Sequence, residues 1–211
     1  MALMIDTFIL GPIDNNTYLL SDKTSKEAVL IDPAAPSKKI VQHIEKNNLH
    51  LKEIWLTHAH FDHIGGVRWF LKQYNRGGIQ AVIHKKAVNL WKMGGSARDF
   101  GFDFDPGPPP DKLLSNNDIL TIGTTKFTVL YTPGHTPGHV TYYDAQDNIA
   151  FCGDLIFYHG IGRTDLAISS TPSLMKSISQ KILTMPDNTR LYPGHGQFTT
   201  VGEEKNNNPF L

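Results

Sequence analysis

Short runs of β-branched and aromatic residues alternate along the chain with stretches of helical periodicity. Alternating or continuous apolar runs bounded by turn residues predict strands, whereas apolar residues at helical spacing predict helices. The predicted strands are Met4–Leu10, Thr17–Ser21, Ala28–Ile31, Glu53–Leu56, Ala81–Ile83, Lys126–Tyr131, Val140–Asp144, Asn148–Cys152 and Thr189–Tyr192. The predicted helices are Ser37–Lys46, Ile64–Tyr74, Lys85–Lys92 and Ser173–Leu183. This order of elements predicts a layered α/β or α+β architecture.

Two helix starts and one long loop carry further local signals. Ser37 offers a capping oxygen, and the pair Thr171–Pro172 combines an oxygen cap with a proline at the first helical position. The segment Gly94–Lys112 is rich in glycine and proline, which excludes a regular element. Its phenylalanines favour a packed rather than a disordered segment, so we predict a long ordered surface loop.

Composition and charge narrow the range of functions. The chain has 211 residues, 40% of them hydrophobic and 19% charged, which is typical of one large globular domain or two small ones. Lysine and arginine together number 20, as do aspartate and glutamate, so the formal net charge is zero. A neutral chain without basic clusters predicts no nucleic-acid partner and no membrane surface.

The single cysteine and the first residues bear on the compartment. Cys152 has no partner for an internal disulfide, which fits a reducing environment, and we predict a plain buried thiol. The N-terminal residues lack the basic segment of a signal peptide, and no apolar run is long enough to span a bilayer. We therefore expect a cytoplasmic protein.

The strongest chemical signal is the run THAHFDH at positions 57–63, which directly follows a predicted strand. In an extended chain, side chains two positions apart point the same way, so His58, His60 and Asp62 can line one side. His63 falls on the first turn of the next helix. These ligand-type residues are too many for one tetrahedral ion that keeps an open position, so the run predicts two metal ions.

Three more candidate ligands follow predicted strands in the same way. They are His135, Asp154 and His195, and each has a neighbouring glycine that lets the backbone approach an ion closely. Each signal is weak alone, but together with the first run they form one pattern of histidines and aspartates that predicts a hydrolytic metalloenzyme. A nitrogen and oxygen ligand set suits zinc, iron and manganese alike. His139 is predicted to support the site or the fold rather than to bind metal.

The motifs HAHFDH, PGHTPGH, GD and PGHG, in this order, resemble those of the metallo-β-lactamase superfamily. The stretch GIGRTD at 160–165 and the closing NPFL at 208–211 are similar to its glyoxalase II branch, the hydroxyacylglutathione hydrolases, and above all to their short bacterial forms. The resemblance implies an α+β fold, a four-layer αββα sandwich of the metallo-β-lactamase type. It also implies that residues 1–211 form one domain, with the metals between the two sheets at one edge.

The resemblance implies a ligand set for two divalent metal ions. Zinc is expected, although iron or manganese can also serve. The first ion would be held by His58, His60 and His135, the second by Asp62, His63 and His195, with Asp154 bridging both. A hydroxide between the ions would attack a carbonyl carbon, and Asp62 would act as the catalytic residue that orients the nucleophile or receives its proton.

The same branch implies a small-molecule thioester substrate that can be glutathione-derived, such as S-D-lactoylglutathione. By that match Arg163 would bind an anionic part of the substrate, with Tyr158 and His159 beside it; the alternative for Arg163 is a salt bridge with Asp165. The Gly196-Gln197 pair departs from the pattern of the longer glyoxalase II enzymes. The resemblance therefore does not determine whether the thiol part of the substrate is glutathione. A persulfide dioxygenase with one iron and a lactonase or β-lactamase stay as alternatives, while the neutral charge argues against a nuclease.

Overall fold

A computed structural model of the protein describes residues 3–74, 78–110 and 112–211. Asp111, which belongs to the predicted loop Gly94–Lys112, lies outside these residues. Within the described ranges, no helix has the length and apolar character needed to cross a membrane.

The first sheet gathers the strands of the N-terminal half. Its described strands, which neighbour one another in chain order, are β1 (Leu3–Leu10), β2 (Asn15–Asp22), β3 (Glu27–Ile31), β4 (His50–Trp55), β5 (Gln80–His84) and β6 (Lys112–Leu114). β1 to β3 form an antiparallel meander, whereas β3 to β6 run parallel. The carboxyl ends of β3 and β4 therefore lie side by side at one edge.

The strands of the C-terminal half form a second sheet and a small hairpin. They are β7 (Ile119–Ile122), β8 (Thr125–Tyr131), β9 (Val140–Asp144), β10 (Ile149–Gly153), β11 (Ile156–Phe157), β12 (Gly160–Ile161), β13 (Arg190–Pro193) and β14 (Thr199–Thr200). The sheet order is β14-β13-β10-β9-β8-β7, and β11 pairs only with β12 among the described strands. β10 and β13 are parallel, and β9 lies antiparallel between β8 and β10, so β8, β10 and β13 all end at the same edge.

Helices cover the outer faces of both sheets. They are α1 (Lys38–Lys46), α2 (Phe61–Ile64), α3 (Val67–Gln73), α4 (Val88–Lys92), α5 (Thr171–Ser177) and α6 (Val201–Asn207), with 3-10 turns at Lys85–Ala87 and Ala97–Phe100 and a π-helical stretch at Ile178–Ile182. Ser37, Ser170 and Thr200 cap α1, α5 and α6 through side-chain oxygens that accept backbone N–H groups of the first turn.

Successive side chains along each strand point to opposite faces of its sheet, so the hydrophobic core has three layers: one between the sheets and one on the outer face of each sheet. In β2, Tyr18 and Leu20 point into the space between the sheets, whereas Leu19 points outward to the helices of the first half. On the far side, Cys152 of β10 packs against Leu174 of α5, fully buried as predicted. Helix, sheet, sheet and helix thus form the expected four-layer αββα sandwich, and the α+β class is confirmed.

The predicted strands are present with ends that shift by up to three residues, but the helix predicted over Ile64–Tyr74 is wrong as one continuous element. It divides into α2 and α3 at Gly65 and Gly66. There the carbonyls of Ala34 and Ala35 approach the helix so closely that a β-carbon at either glycine would overlap them. Strands β6, β7, β11, β12 and β14 and helix α6 were not predicted from the sequence.

Candidate metal centre

Loops from both sheets converge at the edge where the parallel strands end. Thr57, two residues past β4, accepts the backbone N–H of Val140 on β9 through its carbonyl at 2.8 Å. Asn16 of β2 donates its backbone N–H to the carbonyl of Gly194 at 2.7 Å. These backbone bonds fasten the loop after β4 and the loop after β13 to the opposite sheet, which brings the predicted ligands of the two halves together.

All the predicted ligands meet at this edge. One group is His58, His60 and His135, and a second is Asp62, His63 and His195; within each group the candidate ligand atoms lie within 4.8 Å of one another. Asp154 lies between the groups. Its Oδ1 is 3.3 Å from His63 Nε2, and its Oδ2 is 3.6 Å from Nε2 of both His135 and His195. Asp154 therefore contacts histidines of both groups, and its role as a shared ligand stays a prediction.

Hydrogen bonds on the far side of two rings orient them toward this space. His135 Nδ1 donates to the carbonyl of Arg163 at 3.0 Å, and His63 Nδ1 donates to Asp32 Oδ2 at 2.9 Å. Since a carbonyl can only accept, the His135 proton sits on Nδ1 and its Nε2 lone pair faces the other ligands. Such outer partners fix the tautomer and orientation of metal-binding histidines.

Asp32 is a functional residue that the sequence reasoning missed. Its buried carboxylate accepts the backbone N–H of Thr57 at 2.8 Å, the Thr57 hydroxyl and His63 Nδ1. Asp32 also lies within 4.8 Å of ligand atoms of His58 and His63. Because three donors already occupy its oxygens, we assign it to supporting His63 rather than to binding metal. Its position one residue after β3, beside the parallel β4, was the signal that could have found it.

His139 lies behind the ligands, as predicted. Its Nδ1 is 3.0 Å from the Thr132 hydroxyl oxygen, and its ring centroid is 5.2 Å from that of His58. A β-carbon at Gly153 would come within 2.9 Å of its Nε2. His139 therefore packs against the back of His58, and glycine is required where β10 passes over it.

The donor set fits divalent metal ions. His60 Nδ1 lies 3.1 Å from His58 Nε2 and 2.8 Å from His135 Nε2, so three ring nitrogens converge on one point. Among the described residues, Asp154 Oδ1 has only the ion-pair contact with His63. Buried lone pairs that converge without enough donors are costly, and a cation would satisfy them. Imidazoles and carboxylates together are ligands of zinc, iron and manganese.

Burial and mutual repulsion keep the first group of histidines neutral. Burial, followed by the neighbouring His135, lowers the pKa of His60 to about 3. Burial is also the main reason why the pKa values of His58 and His135 lie below the ordinary histidine value. These rings can therefore offer lone pairs to a cation at neutral pH without first losing a proton.

Carboxylates give the second group the opposite character. Burial lowers the pKa of His63, but Asp154 and Asp62 raise it by more, so it lies well above the ordinary value. Burial also lowers the pKa of His195, but its bond to Asp62 and the charges of Asp154 and Asp62 together raise it by more, so it lies above the ordinary value. Burial raises the pKa values of Asp62 and Asp154, but the adjacent histidines lower them by a larger amount. Both pKa values therefore lie below the ordinary aspartate value. A cation that enters this group must displace protons.

A cavity of about 360 Å³ opens onto the ligands. Its remaining walls are mostly apolar and consist of Ile13, Phe61, Phe100, Phe157, Ile161, Arg163 and Leu166. A larger groove of about 450 Å³ beside Trp91 contains none of the predicted ligands. We therefore take the smaller cavity as the candidate substrate site.

The predicted substrate-binding residues divide between cavity and surface. Arg163 lines the cavity, its guanidinium 5.6 Å from the centroid of Phe100, and it forms a bidentate ion pair with Asp165 at 2.7 and 2.8 Å. Tyr158 and His159 do not line it. They form the turn between β11 and β12, stack on each other with centroids 3.9 Å apart, and stay predictions without a contact to the cavity.

Comparisons with known proteins agree with this architecture. The chain is 36% identical over 208 residues to the hydroxyacylglutathione hydrolase GloC of Haemophilus influenzae. This match covers 98% of this chain and 97% of that protein. The crystal structure of the BLEG-1 B3 metallo-beta-lactamase matches with a TM-score of 0.91 and 40% identity, covering 99% of both chains. That of TTHA1623 in a di-iron-bound form matches with a TM-score of 0.87 and 35% identity, covering 98% of this chain and 100% of the other.

A sequence model of the metallo-β-lactamase superfamily matches residues 10–195, a range that includes every predicted metal ligand. The chain therefore belongs to the metallo-β-lactamase superfamily of metal-dependent hydrolases.

Proposed function

We propose that this protein is a dinuclear thioester hydrolase that cleaves S-D-lactoylglutathione or a related hydroxyacyl thioester. One observation carries the proposal. Among the described residues that line the cavity, every ionisable side chain except Arg163 is a predicted metal ligand. The arrangement can activate water and a carbonyl, but it leaves no spare general acid for the leaving group.

The lack of a spare acid favours a leaving group that needs no proton. A thiol has a pKa of about 8.5, so a thiolate can depart as it is, whereas an amine or an alkoxide needs a proton donor. Arg163 is no substitute, because its pKa lies above even the ordinary arginine value. A thioester is thus the acyl compound that these residues suit best.

The chain's own residues supply binding and orientation. His58, His60 and His135 would hold one ion, Asp62, His63 and His195 the other, and Asp154 both. Two bound divalent ions would polarise an acyl carbonyl and lower the pKa of water. Asp62 stays ionised and lines the cavity beside His195, so its carboxylate can orient the attacking water.

The remaining walls bear on substrate orientation. The apolar side chains exclude water from the acyl group, and Arg163 can meet an anionic end of the thiol arm. Its ion pair with Asp165 is solvent-exposed, and exposed pairs contribute little stability, so a substrate carboxylate can compete for the guanidinium.

The relatives support this reading and suggest one competitor. The name hydroxyacylglutathione hydrolase favours the thioester, and we propose zinc as the metal, although a di-iron-bound relative favours iron as the alternative. Likeness to a B3 metallo-beta-lactamase makes hydrolysis of a β-lactam amide the second candidate function.

The test compares both substrates on one preparation. Metal-loaded protein is assayed with S-D-lactoylglutathione and with a chromogenic cephalosporin. The variant Asp154→Asn is assayed in parallel as the inactive control. We expect a kcat/KM for the thioester above ~10⁴ M⁻¹s⁻¹, at least 100-fold above that for the lactam. Faster cleavage of the cephalosporin would replace the proposed function with the second candidate, and equal rates for wild type and variant would reject the site.

A further inference from the structure

A buried carboxylate outside the candidate metal centre holds the substrate-facing hairpin. Glu204 lies on α6 and is completely buried. Its Oε1 accepts the Thr199 hydroxyl, and its Oε2 accepts the side-chain amide of Asn208 at 2.7 Å and the backbone N–H of His159 at 3.0 Å. A carboxylate is costly to bury unless donors surround it, so this arrangement ties three segments to one point.

Asn208 adds a second connection to the same hairpin. Its side-chain amide also donates to the carbonyl of Gly160 at 3.1 Å. Asn208 is the first residue of the NPFL motif that follows α6. It is buried, whereas Phe210 and Leu211 of the same motif are exposed. Together, Glu204 and Asn208 bind backbone groups of two consecutive residues, His159 and Gly160.

Those two residues shape the wall hairpin, by which we mean residues 156–161. His159 sits at its turn with φ of +54°, a left-handed conformation that a histidine seldom adopts. Residues in such conformations persist where their surroundings hold them in place. Phe157 and Ile161, which flank the turn on either side, line the cavity, and Phe157 lies edge-on to His195 with ring centroids 6.2 Å apart.

We propose that Glu204 and Asn208 are positioning residues that hold the wall hairpin against the cavity and so determine how tightly the substrate binds. They touch neither the predicted ligands nor the cavity and act only through the backbone of the hairpin. The part of this inference that concerns substrate binding rests on the proposed thioester hydrolysis.

The variants Asn208→Ala and Glu204→Gln test this, with Asn206→Ala as the matched control. Asn206 lies on the same helix, is exposed, and its side chain bonds only to the carbonyl of Gly202 among the described residues. Glutamine at 204 keeps the shape but would turn an NH₂ group toward donors. If this variant fails to fold, Asn208→Ala still decides, because it keeps the backbone bond from residue 208 to Glu204.

Two readouts on metal-loaded protein separate positioning from general stability. Hydrogen–deuterium exchange over residues 156–163 should become at least about tenfold faster in Asn208→Ala and Glu204→Gln, because each variant loses at least one hydrogen bond to a charged group. Asn208→Ala also loses the bond to the carbonyl of Gly160. KM for S-D-lactoylglutathione should rise about three- to tenfold, with kcat and metal content within twofold of wild type. Asn206→Ala should match wild type in all of these measurements.

The outcomes are distinct. Unchanged exchange in both variants, or a fall in kcat at constant KM, would overturn the positioning role, as would loss of metal. If wild-type protein cleaves no thioester, the proposed function has failed and exchange alone decides: acceleration confined to residues 156–163 supports the role, and acceleration across the chain rejects it.

Discussion

Replacing Asp32 with asparagine tests its support of His63, the predicted ligand that it contacts directly. Asn is tolerated at the left-handed φ of +47° that Asp32 adopts, so the backbone can stay as it is. If the remaining oxygen keeps the backbone N–H of Thr57, the new NH₂ group faces His63 Nδ1. That nitrogen can then only accept, which moves the ring proton to Nε2 and blocks the lone pair aimed at the metal.

The magnitude follows from the bond that is lost. A hydrogen bond to a charged group contributes about 1.5–3 kcal/mol, and loss of an outer partner of a metal-binding histidine typically weakens metal affinity by about 10- to 100-fold. At about 1.4 kcal/mol per factor of ten, the two figures agree. We expect this loss for the ion at Asp62, His63 and His195, and less than a threefold change at the other group.

Two backgrounds separate the ions. The variant His60→Ala removes a ligand of the first group, so the remaining ion reports on the group of Asp62, His63 and His195. The variant His195→Ala removes a ligand of the second group, so the remaining ion reports on the group of His58, His60 and His135. Zinc affinities are measured by competition with a chromophoric chelator at pH 8, with and without Asp32→Asn. Equal weakening in both backgrounds, or none in the His60→Ala background, would refute the reasoning that Asp32 acts through His63.

Three further predictions follow from pKa values and packing. Lowering the pH from 8 to 6 should weaken zinc binding at the group of His63 more than at the group of His60, since the raised pKa of His63 makes protons compete there; parallel losses by calorimetry would contradict this. Burial lowers the pKa of His84 to about 4, so metal-free wild type should lose unfolding free energy as pH falls from about 6.5 toward 4, and His84→Phe should lose less; identical urea midpoints across this range would refute it. Gly194→Ala should cost at least about tenfold in metal affinity, because a β-carbon there would overlap two predicted ligands; wild-type affinity in a chelator titration would show that the loop has room.

The clustering of the predicted ligands could be predicted from the sequence because they follow the ends of strands. His58, His135 and His195 follow apolar runs that alone predict strands, and parallel strands bring their ends to one edge. Asp32 was not predicted from the sequence, because its role depends on the pairing of β3 with β4 and on its contact with His63, 31 positions away. Local patterns carry no information about such long-range pairing.

The wall hairpin and α6 show the limits of periodicity more clearly. β11 and β12 have two residues each, which is too short for alternation to register. The prediction of Tyr158 and His159 at the substrate came from the resemblance to the glyoxalase II branch; in the structure they form the tight turn between β11 and β12 and do not line the cavity. In α6 the buried residues are Val201 and Glu204, and Glu204 is an acid that a hydrophobic pattern counts as surface.

A zinc titration of metal-free protein, with the initial rate of S-D-lactoylglutathione hydrolysis followed at each addition, tests the dinuclear thioesterase. We predict that the rate rises to a plateau at two equivalents of zinc per chain and that Asp154→Asn stays inactive throughout. A plateau at one equivalent would contradict the dinuclear centre. No hydrolysis at two equivalents, together with persulfide-dependent oxygen uptake when one iron is bound, would contradict the thioesterase assignment and favour a dioxygenase.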